Sequence, residues 1–301
     1  MVAARRTPPA RWRLSEGSVS GSVGTSPIRQ SVPVIVGLYG VAMLVASVLS
    51  LKGGVGKTTV TLGLVSAAVH AGLETLLVDL DPQMNATATV EVDESGPSIA
   101  DVLANPRRSI VNSSLRLSPW SERLRVIPGS EAAESLNYPD PTAKHLARLT
   151  TALAKVEPAP DLILIDCPPS LGQLTRSGLV AADRAILVTE PSLYAVTGVQ
   201  RALEAVQQER MSHHHLQPLG VVVNRVRPRM TEHEYRLAEL RDLFGPLVLS
   251  PTLPDRAAIQ QAQGAAVPIH DWPTAGAREI AVMFDALLDR LMRSAKHRTK
   301  V

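Results

Sequence analysis

Residues 52–59 read Lys-Gly-Gly-Val-Gly-Lys-Thr-Thr, and this glycine-rich segment constrains the architecture more than any other part of the chain. An uncharged apolar run precedes it at 44–49, and a helix-compatible stretch follows it at 58–71. A strand, loop and helix in this order bind phosphate, because glycine lets consecutive backbone N–H groups face one point at the positive end of a helix. The pattern predicts a nucleotide site in which Lys57 reaches the terminal phosphates and the Thr58 hydroxyl ligates Mg²⁺.

A second lysine distinguishes this loop from the usual phosphate-binding pattern, G-x-x-x-x-G-K-[ST]. That pattern would have glycine at position 51, where this chain has Leu51, and Lys52 comes directly before the paired glycines. The departure resembles the deviant Walker A box of the ParA/MinD family of ATPases, in which the extra lysine reaches across a dimer interface to the partner's nucleotide. The resemblance implies ATP and Mg²⁺ as cofactors, a homodimer that forms with ATP, and catalytic roles for Lys52 and Lys57. The residues that it implies for nucleotide binding in this loop are Lys52, Gly53, Gly54, Val55, Gly56, Lys57, Thr58 and Thr59.

Composition indicates an aliphatic core and fits a reducing cytoplasm. The chain has 301 residues, of which 45% are hydrophobic but only 3% are aromatic, so Val, Leu, Ile and Ala must fill most of the interior. The single cysteine, Cys167, excludes a disulfide framework and the cysteine-bridged iron–sulfur relatives of this ATPase class. We expect Cys167 to be a small buried residue rather than a nucleophile, because the sequence places no base beside it.

Apolar runs and amphipathic segments alternate along the rest of the chain. Fully apolar strands between helices indicate a parallel sheet covered on both faces, so the predicted fold is a doubly wound α/β sheet of the P-loop NTPase type. Besides 44–49, the predicted strands are 75–80, 124–128, 162–165, 185–189, 219–223 and 248–253. The predicted helices include 142–156, 195–210, 231–244 and 275–294. Because ligands of such sheets bind at the carboxyl ends of the strands, the site residues should follow those strands.

The N-terminal residues differ in composition from the rest of the chain. Residues 1–42 contain five arginines and one glutamate, so the remaining chain has a net charge of −1 although the whole chain has +3. Residues 1–31 are rich in Ser, Gly, Pro and Arg, which predicts disorder. The uncharged run 32–51 is long enough to cross a bilayer, but its second half must be the strand before the phosphate loop, so we reject a membrane anchor or signal sequence. We expect 1–42 to be a dispensable extension or a start-codon artefact, with an ATPase domain at 43–294 and a basic tail at 295–301.

Carboxylates follow two of the predicted strands. Residues 79–87 read Asp-Leu-Asp-Pro-Gln-Met-Asn-Ala-Thr, which resembles the ParA branch of the family more closely than the MinD branch. By that resemblance, Asp81 is a catalytic residue that orients or activates the attacking water, and Asp79 organises the surroundings of Mg²⁺ and Thr58. Asp166 ends an apolar run, where a Walker B carboxylate holds Mg²⁺ through water. The implied metal set is therefore Thr58, Asp79 and Asp166.

Two later positions are implied to contact the base of the nucleotide. Asn224 ends a predicted strand and could hydrogen-bond adenine, although an ordinary strand-end turn explains an asparagine there equally well. Residues 253–256 read Leu-Pro-Asp-Arg and resemble the adenine-side loop of the family, so we expect the Pro254 backbone to flank the base. The family often has asparagine at the position of Arg256, and no contact is assigned to that side chain.

A cluster of arginines follows the same strand. Arg225, Arg227 and Arg229 lie in the loop, and Arg236 lies on the next predicted helix. Members of the family bind DNA non-specifically in this region, and the resemblance implies that these four arginines contact DNA. An ordinary solvated arginine face explains the cluster equally well.

The function implied by the resemblance is ATP-dependent partitioning of a chromosome or plasmid, in the cytoplasm and on the nucleoid. An ATP-bound dimer would bind DNA non-specifically, and a ParB-type partner would stimulate otherwise slow hydrolysis. Two alternatives stay open: a MinD-like ATPase that binds membranes through a terminal amphipathic helix, and a ParA relative that positions cargo other than DNA. The Asp-Pro-Gln motif and the core-like spacing of apolar residues in 275–294 argue against the first, and we expect no stable membrane insertion.

Overall fold

Residues 43–295 are described by a computed structural model, and they form one sheet with apolar layers on both of its faces. The predicted extension at 1–42 and residues 296–301 of the predicted basic tail lie outside the described residues.

The sheet has seven strands and is parallel except at one edge. Its strands are β1 (Leu44–Leu49), β2 (Thr75–Asp79), β3 (Arg116–Ser118), β4 (Ser121–Ile127), β5 (Leu162–Asp166), β6 (Arg184–Thr189) and β7 (Gln217–Val223). Their order across the sheet is β3-β4-β2-β5-β1-β6-β7, and only the β3–β4 pair is antiparallel. Strands β1, β2, β5 and β6 are buried at every position, which explains their almost continuous apolar sequences. The prediction of a doubly wound, mostly parallel α/β sheet is confirmed.

Helices connect consecutive parallel strands. Within residues 43–295 they are α1 (Lys57–His70), α2 (Asn85–Thr89), α3 (Ile99–Ala104), α4 (Arg108–Ser113), α5 (Ala143–Leu153), α6 (Gln173–Ala181), α7 (Ala195–Arg210), α8 (Thr231–Phe244), α9 (Ala257–Gly264) and α10 (Ala275–Ala295). Short 3-10 turns lie at Glu131–Leu136 and Gly245–Leu247. Every crossover between parallel strands contains at least one of the α-helices, as parallel pairing requires.

Alternate residues of β1 face two separate apolar layers, as expected for a strand in a doubly covered sheet. Leu44, Ala46 and Val48 belong to the layer that contains α1 and α10. Val45 and Leu49 belong to the layer that contains α5, α6 and α7. Burial on both faces holds β1 in the middle of the sheet, so the loop that follows β1 begins from a fixed point.

Helix α10 packs directly on α1. Phe284 is buried, and a Cβ atom placed on Gly63 would lie 2.1 Å from its Cζ atom, so this close approach requires glycine at position 63. The buried residues of α10 include Ile280, Phe284, Leu287, Leu288 and Leu291. Their burial confirms that the spacing of apolar residues in this helix reflects packing on the core. No helix within residues 43–295 combines the length and the apolar character needed to cross a bilayer.

Two segments differ from the predicted strands. Residues 248–253 form no strand: Val248 makes one isolated bridge with Val221, and just beyond the run Pro254 makes another with Val226. The prolines of this segment lack the N–H group that a continuous ladder needs, which explains the difference. Strand β3 was not predicted because it has only three residues and two of them are polar.

Candidate functional site

The phosphate loop lies between the carboxyl end of β1 and the first turn of α1. Two of its glycines have left-handed backbone angles, with φ of 81° at Gly54 and 88° at Gly56. A Cβ atom on Gly56 would also lie 2.2 Å from Nδ2 of Asn224. That Asn224 amide donates to the Val55 carbonyl at 2.9 Å and ties the loop to the end of β7. A glycine loop held in this way at a helix N-terminus suits a bound phosphate group.

Lys57 is buried among carboxylates beside this loop. Its ammonium lies 3.0 Å from Asp166 Oδ1 and 3.5 Å from Asp81 Oδ2, and its side chain is only 7% exposed. Burial by itself lowers the pKa of Lys57, but the charges of Asp166 and Asp81 outweigh burial and raise this pKa overall. Lys57 therefore stays positively charged at neutral pH and balances part of the acidic cluster.

Hydroxyl and carboxylate oxygens converge next to Lys57. The Thr58 hydroxyl donates to Asp166 Oδ2 at 2.7 Å, and the Thr61 hydroxyl, which was not predicted to take part, donates to Asp166 Oδ1 at 2.9 Å. Hard oxygen donors of this kind fit Mg²⁺, which takes one or two protein ligands and keeps several waters. Residues 43–295 hold no group of three or more His, Cys, Asp or Glu side chains poised for a metal ion. Thr58 and Asp166 are the residues whose oxygens would hold Mg²⁺ here.

Asp81 lies at the edge of the same cluster. Its Oδ1 accepts a hydrogen bond from the Gln83 backbone N–H at 3.0 Å, while Oδ2 faces the Lys57 ammonium. The side chain is buried. One oxygen is thus held by the backbone, and the other is directed toward the lysine expected at the terminal phosphates. This arrangement suits a carboxylate that orients a water molecule beside a phosphate.

Asp79 shapes the turn that carries Asp81. Its Oδ2 accepts from the backbone N–H of Thr87 at 2.9 Å and from the Thr87 hydroxyl at 2.8 Å, while its Oδ1 accepts from the Asp81 N–H at 3.1 Å. The Thr87 hydroxyl in turn accepts from the Gly129 N–H at 2.8 Å. Both oxygens of Asp79 are thus engaged by the turn, and its role in the surroundings of Thr58 and Mg²⁺ stays a prediction. Thr87 is a partner that the sequence did not indicate.

The protonation of Asp79 is expected to affect folding. Burial, together with the charge of Asp166, raises the pKa of Asp79 to about 7, from an ordinary value of 3.8. Above about pH 4 the unfolded chain releases a proton that the folded chain still holds at Asp79, so this group makes folding less favourable as the pH rises toward 7. We expect the nucleotide-free Asp79→Asn variant to lose this contribution, so that the pH slope of its free energy of unfolding is more positive than that of the wild type over that range.

Urea unfolding followed by circular dichroism at several pH values measures both slopes. The matched control is Asp140→Asn, which removes an exposed carboxylate and should leave the slope of the wild type unchanged. Equal slopes in the wild type and in Asp79→Asn would contradict a raised pKa at this carboxyl group.

Lys52 has surroundings that contrast with those of Lys57. Its ammonium pairs with Glu190 Oε1 at 2.6 Å, and 46% of its side chain remains exposed. Its backbone is fixed by Ser50, whose hydroxyl donates to the Lys52 carbonyl at 3.0 Å and accepts from the Lys52 N–H at 3.2 Å. Glu190 follows β6 and is 138 positions away in the sequence, so sequence spacing could not reveal the pair.

A recess opens beside the phosphate loop at the end of β7. Asn224 and Pro254, the two residues predicted to flank the base, both line it. The other lining residues are Thr59, Arg225, Asp255, Arg256, Ile259, Gln260 and Gln263. The Thr59 hydroxyl, predicted only as part of the phosphate loop, also donates to Gln263 Oε1 at 3.4 Å. Amide, hydroxyl and apolar groups next to a phosphate loop suit a nucleobase.

The four arginines predicted to contact DNA separate into two pairs. Arg225 and Arg229 are exposed, and neither forms an ion pair within residues 43–295. Arg227 pairs with Asp255 at 2.8 Å. Arg236 pairs with two glutamates of its own helix at 2.7 and 3.1 Å, and only 15% of its side chain is exposed. In the chain without DNA, carboxylates bind the guanidinium groups of Arg227 and Arg236, and DNA contact by the four arginines stays a prediction.

Cys167 is fully buried next to Asp166, and burial raises the pKa of its thiol to about 12. A Cβ atom on Gly178 would lie 2.9 Å from the Cys167 sulfur, so the thiol fills a tight gap between β5 and α6. The expectation that Cys167 is a small buried residue is confirmed.

Comparisons with known proteins agree with this geometry. Residues 43–217 match the model of a family described as an AAA domain, AAA_31. The chain is 32% identical over 232 residues to the chromosome-partitioning ATPase Soj of Treponema pallidum, an alignment that covers 75% of this chain and 90% of that protein. It is also 38% identical over 193 residues to a ParA family protein of Chlamydia muridarum, which covers 60% of this chain and 72% of that protein.

A solved structure shares the fold. Cobyrinic acid a,c-diamide synthase from Mycobacterium smegmatis, with bound ADP and magnesium, superposes with a TM-score of 0.70 at 27% sequence identity. The superposition covers 86% of this chain and 98% of that one. The family model spans more than half of the chain, and two relatives with more than 30% identity are aligned over more than two thirds of their own lengths. With the two lysines of its phosphate loop and the carboxylates around them, the chain belongs to the ParA family of ATPases.

Proposed function

We propose that this chain is a DNA-partitioning ATPase that hydrolyses ATP to ADP and phosphate with Mg²⁺. Two ATP-bound chains form a sandwich dimer, and the dimer binds DNA non-specifically at the nucleoid in the cytoplasm. A ParB-type partner protein stimulates hydrolysis and release from DNA. The ATPase domain comprises residues 43–294, and residues 1–42 are dispensable for these activities.

The observation that carries this proposal is the contrast between the two lysines of one loop. Lys57 is buried among the carboxylates of its own chain, whereas Lys52 is half-exposed and, within residues 43–295, pairs with Glu190 alone. A lysine that served only its own nucleotide would lie in the acidic cluster, as Lys57 does. The exposed ammonium of Lys52 is instead accessible to a second chain, and in the dimer it contacts the phosphates bound by that chain.

Exposed apolar side chains support a partner surface in the same region. Leu193 and Tyr194 follow Glu190 in the loop that leads into α7, and they are 60% and 68% exposed. Large apolar and aromatic side chains that remain exposed next to a charged group are typical of protein interfaces. Because Glu190 binds Lys52, this surface is continuous with the lysine that acts in trans.

Hydrolysis in this proposal depends on positioning and on charge. Bound Mg²⁺ neutralises charge on the phosphates when it is held by Thr58 and Asp166. Lys57 binds the terminal phosphate, and Asp81 holds the attacking water with the carboxylate oxygen that faces Lys57. Closing of the dimer brings Lys52 of the second chain to the same phosphates and excludes bulk water, which strengthens each of these electrostatic contacts.

DNA binding in this proposal rests on Arg225 and Arg229. Both arginines are exposed, and a dimer presents four of these guanidinium groups. A chain whose ATPase domain has no strong net positive charge can therefore still bind a polyanion such as DNA. Each phosphate contact makes the slope of log affinity against log salt concentration more negative by about 0.9. With four contacts, we expect a slope of about −3 to −4 for the dimer.

Light scattering and DNA co-sedimentation test the proposal together. With Mg²⁺ and a saturating nonhydrolysable ATP analogue, the full chain should have the mass of a dimer and should co-sediment with DNA of mixed sequence. With ADP it should be a monomer and should remain in the supernatant. A monomer under saturating analogue would refute the proposal, and analogue-dependent binding to liposomes instead of DNA would favour the membrane-positioning alternative.

A further inference from the structure

The loop between β7 and α8, residues 224–230, is here called the arginine loop, and it carries two exposed arginines, Arg225 and Arg229, that form no ion pair within residues 43–295. Arg225 and Arg229 both have left-handed backbone angles, with φ of 55° and 70°. Such a conformation is unfavourable for a residue with a side chain and persists only where surrounding contacts hold it. The contacts that hold the arginine loop therefore determine how its two free guanidinium groups are presented.

Hydrogen bonds tie the first half of the arginine loop to the nucleotide site. At its start, the side-chain amide of Asn224 donates to the Val55 carbonyl of the phosphate loop at 2.9 Å. Further along, the Val226 N–H donates to the Leu253 carbonyl at 3.0 Å, and the Val226 carbonyl accepts from the Asp255 N–H at 2.9 Å. The arginine loop is thus hydrogen-bonded once to the phosphate loop and twice to residues 253–255, the segment that lines the base recess.

Arg227 adds a side-chain connection to the same segment. Its Nε donates to Asp255 Oδ2 at 2.8 Å, and its backbone N–H donates to His233 Nδ1 at 3.0 Å. Asp255 lines the base recess together with Pro254 and Arg225. A nucleotide base in that recess therefore lies next to the carboxylate that holds Arg227, and next to Arg225, one of the two arginines proposed to bind DNA.

We propose that Arg227 is a positioning residue rather than a phosphate contact: its ion pair with Asp255 couples the occupied base recess to the DNA-facing Arg225 and Arg229. This inference rests on the proposed function. A nucleotide base in the recess favours one arrangement of the segment around Asp255. Through the ion pair with Arg227, that arrangement favours the conformation of the arginine loop in which Arg225 and Arg229 contact DNA phosphates. Because such coupling is reciprocal, DNA raises the affinity for the nucleotide by the same factor.

The test uses the full chain, a nonhydrolysable ATP analogue and DNA of mixed sequence. It measures DNA binding by Arg227→Gln, by Asp255→Asn and by the variant that carries both changes. Arg229→Gln serves as the comparison. We expect both single variants to weaken DNA binding about two- to five-fold, the range that an ion pair this exposed can provide, and to leave the salt slope unchanged. The double variant should bind as each single variant does, because both changes break one pair. Arg229→Gln should instead make the salt slope of the dimer less steep by about 2, because each of the two chains loses one phosphate contact.

The opposite assignment makes a different prediction for Asp255. If Asp255 only masked a DNA-contacting Arg227, then Asp255→Asn would strengthen DNA binding and Arg227→Gln would make the salt slope less steep. Either result, or an unchanged affinity in both single variants, overturns the proposal. Circular dichroism and urea unfolding of the free variants show that the chains are folded. Failure of the wild type to bind DNA with the analogue would be recognised separately, since it refutes the proposed function itself.

Discussion

Replacement of Lys52 by alanine is expected to leave nucleotide binding to the monomer intact and to abolish both dimer formation and DNA binding. Lys57, Thr58 and Asp166, which form the site within one chain, do not depend on Lys52. A sandwich dimer, however, loses two charge-assisted contacts at once, one for each copy of the lysine. At about 1.5–3 kcal/mol for each contact, the dimerisation constant should fall roughly 10²–10⁴-fold. Sedimentation equilibrium with the nonhydrolysable analogue measures this change.

Glu190→Gln is the control for Lys52→Ala, because it also breaks the Lys52–Glu190 pair but retains the lysine. If the lysine itself is required, Glu190→Gln should still dimerise with the analogue and bind DNA. A Lys52→Ala chain that dimerises and binds DNA normally would disprove the role of Lys52 in trans. Failure of both variants would mean that the ion pair is needed to shape the phosphate loop.

Asp81→Asn is expected to stop turnover without preventing assembly. The amide keeps an oxygen that can accept from the Gln83 N–H but has lost the charge that faces Lys57 and the proposed water. Loss of a group that positions and activates water typically costs about 10²–10⁴-fold in rate. The variant should therefore bind ATP, dimerise and remain on DNA in the presence of ATP itself, where the wild type is released over time.

Phosphate release in single turnover and DNA retention over time measure the two sides of this prediction for Asp81→Asn. Asp140→Asn, an exposed change of the same chemistry, should hydrolyse ATP as the wild type does. Turnover at the wild-type rate by Asp81→Asn would remove Asp81 from the mechanism. Loss of analogue binding in that variant would show instead that Asp81 serves the nucleotide cluster.

The parts of the site that depend on strand order could be predicted from the sequence. Asp166 ends β5 and Lys57 begins the helix after β1, and these two strands are neighbours in the sheet. Parallel strands bring their carboxyl ends to one edge, so a lysine and an aspartate in these positions must meet near that edge. The observed distance of 3.0 Å between Lys57 and Asp166 reflects this topology.

The contacts that were not predicted join side chains whose proximity depends on loop conformation. Glu190 meets Lys52, and Thr87 meets Asp79, through turns whose backbone angles no periodic pattern specifies. The same holds for Arg227, whose pairing depends on two left-handed arginines in its loop. Residue types indicated that these positions carry chemistry, but their partners depend on geometry that apolar periodicity cannot encode.

The packing of Phe284 against Gly63 has a consequence for biosynthesis. Helix α1, which begins at the phosphate loop near the start of the described chain, is covered by α10, the last helix of that range. A nascent chain on the ribosome therefore exposes one apolar side of α1 until residues 275–295 have been translated and have left the exit tunnel. Premature termination before α10 should leave a product that chaperones or proteases must handle, even though every residue of the phosphate loop has already been made.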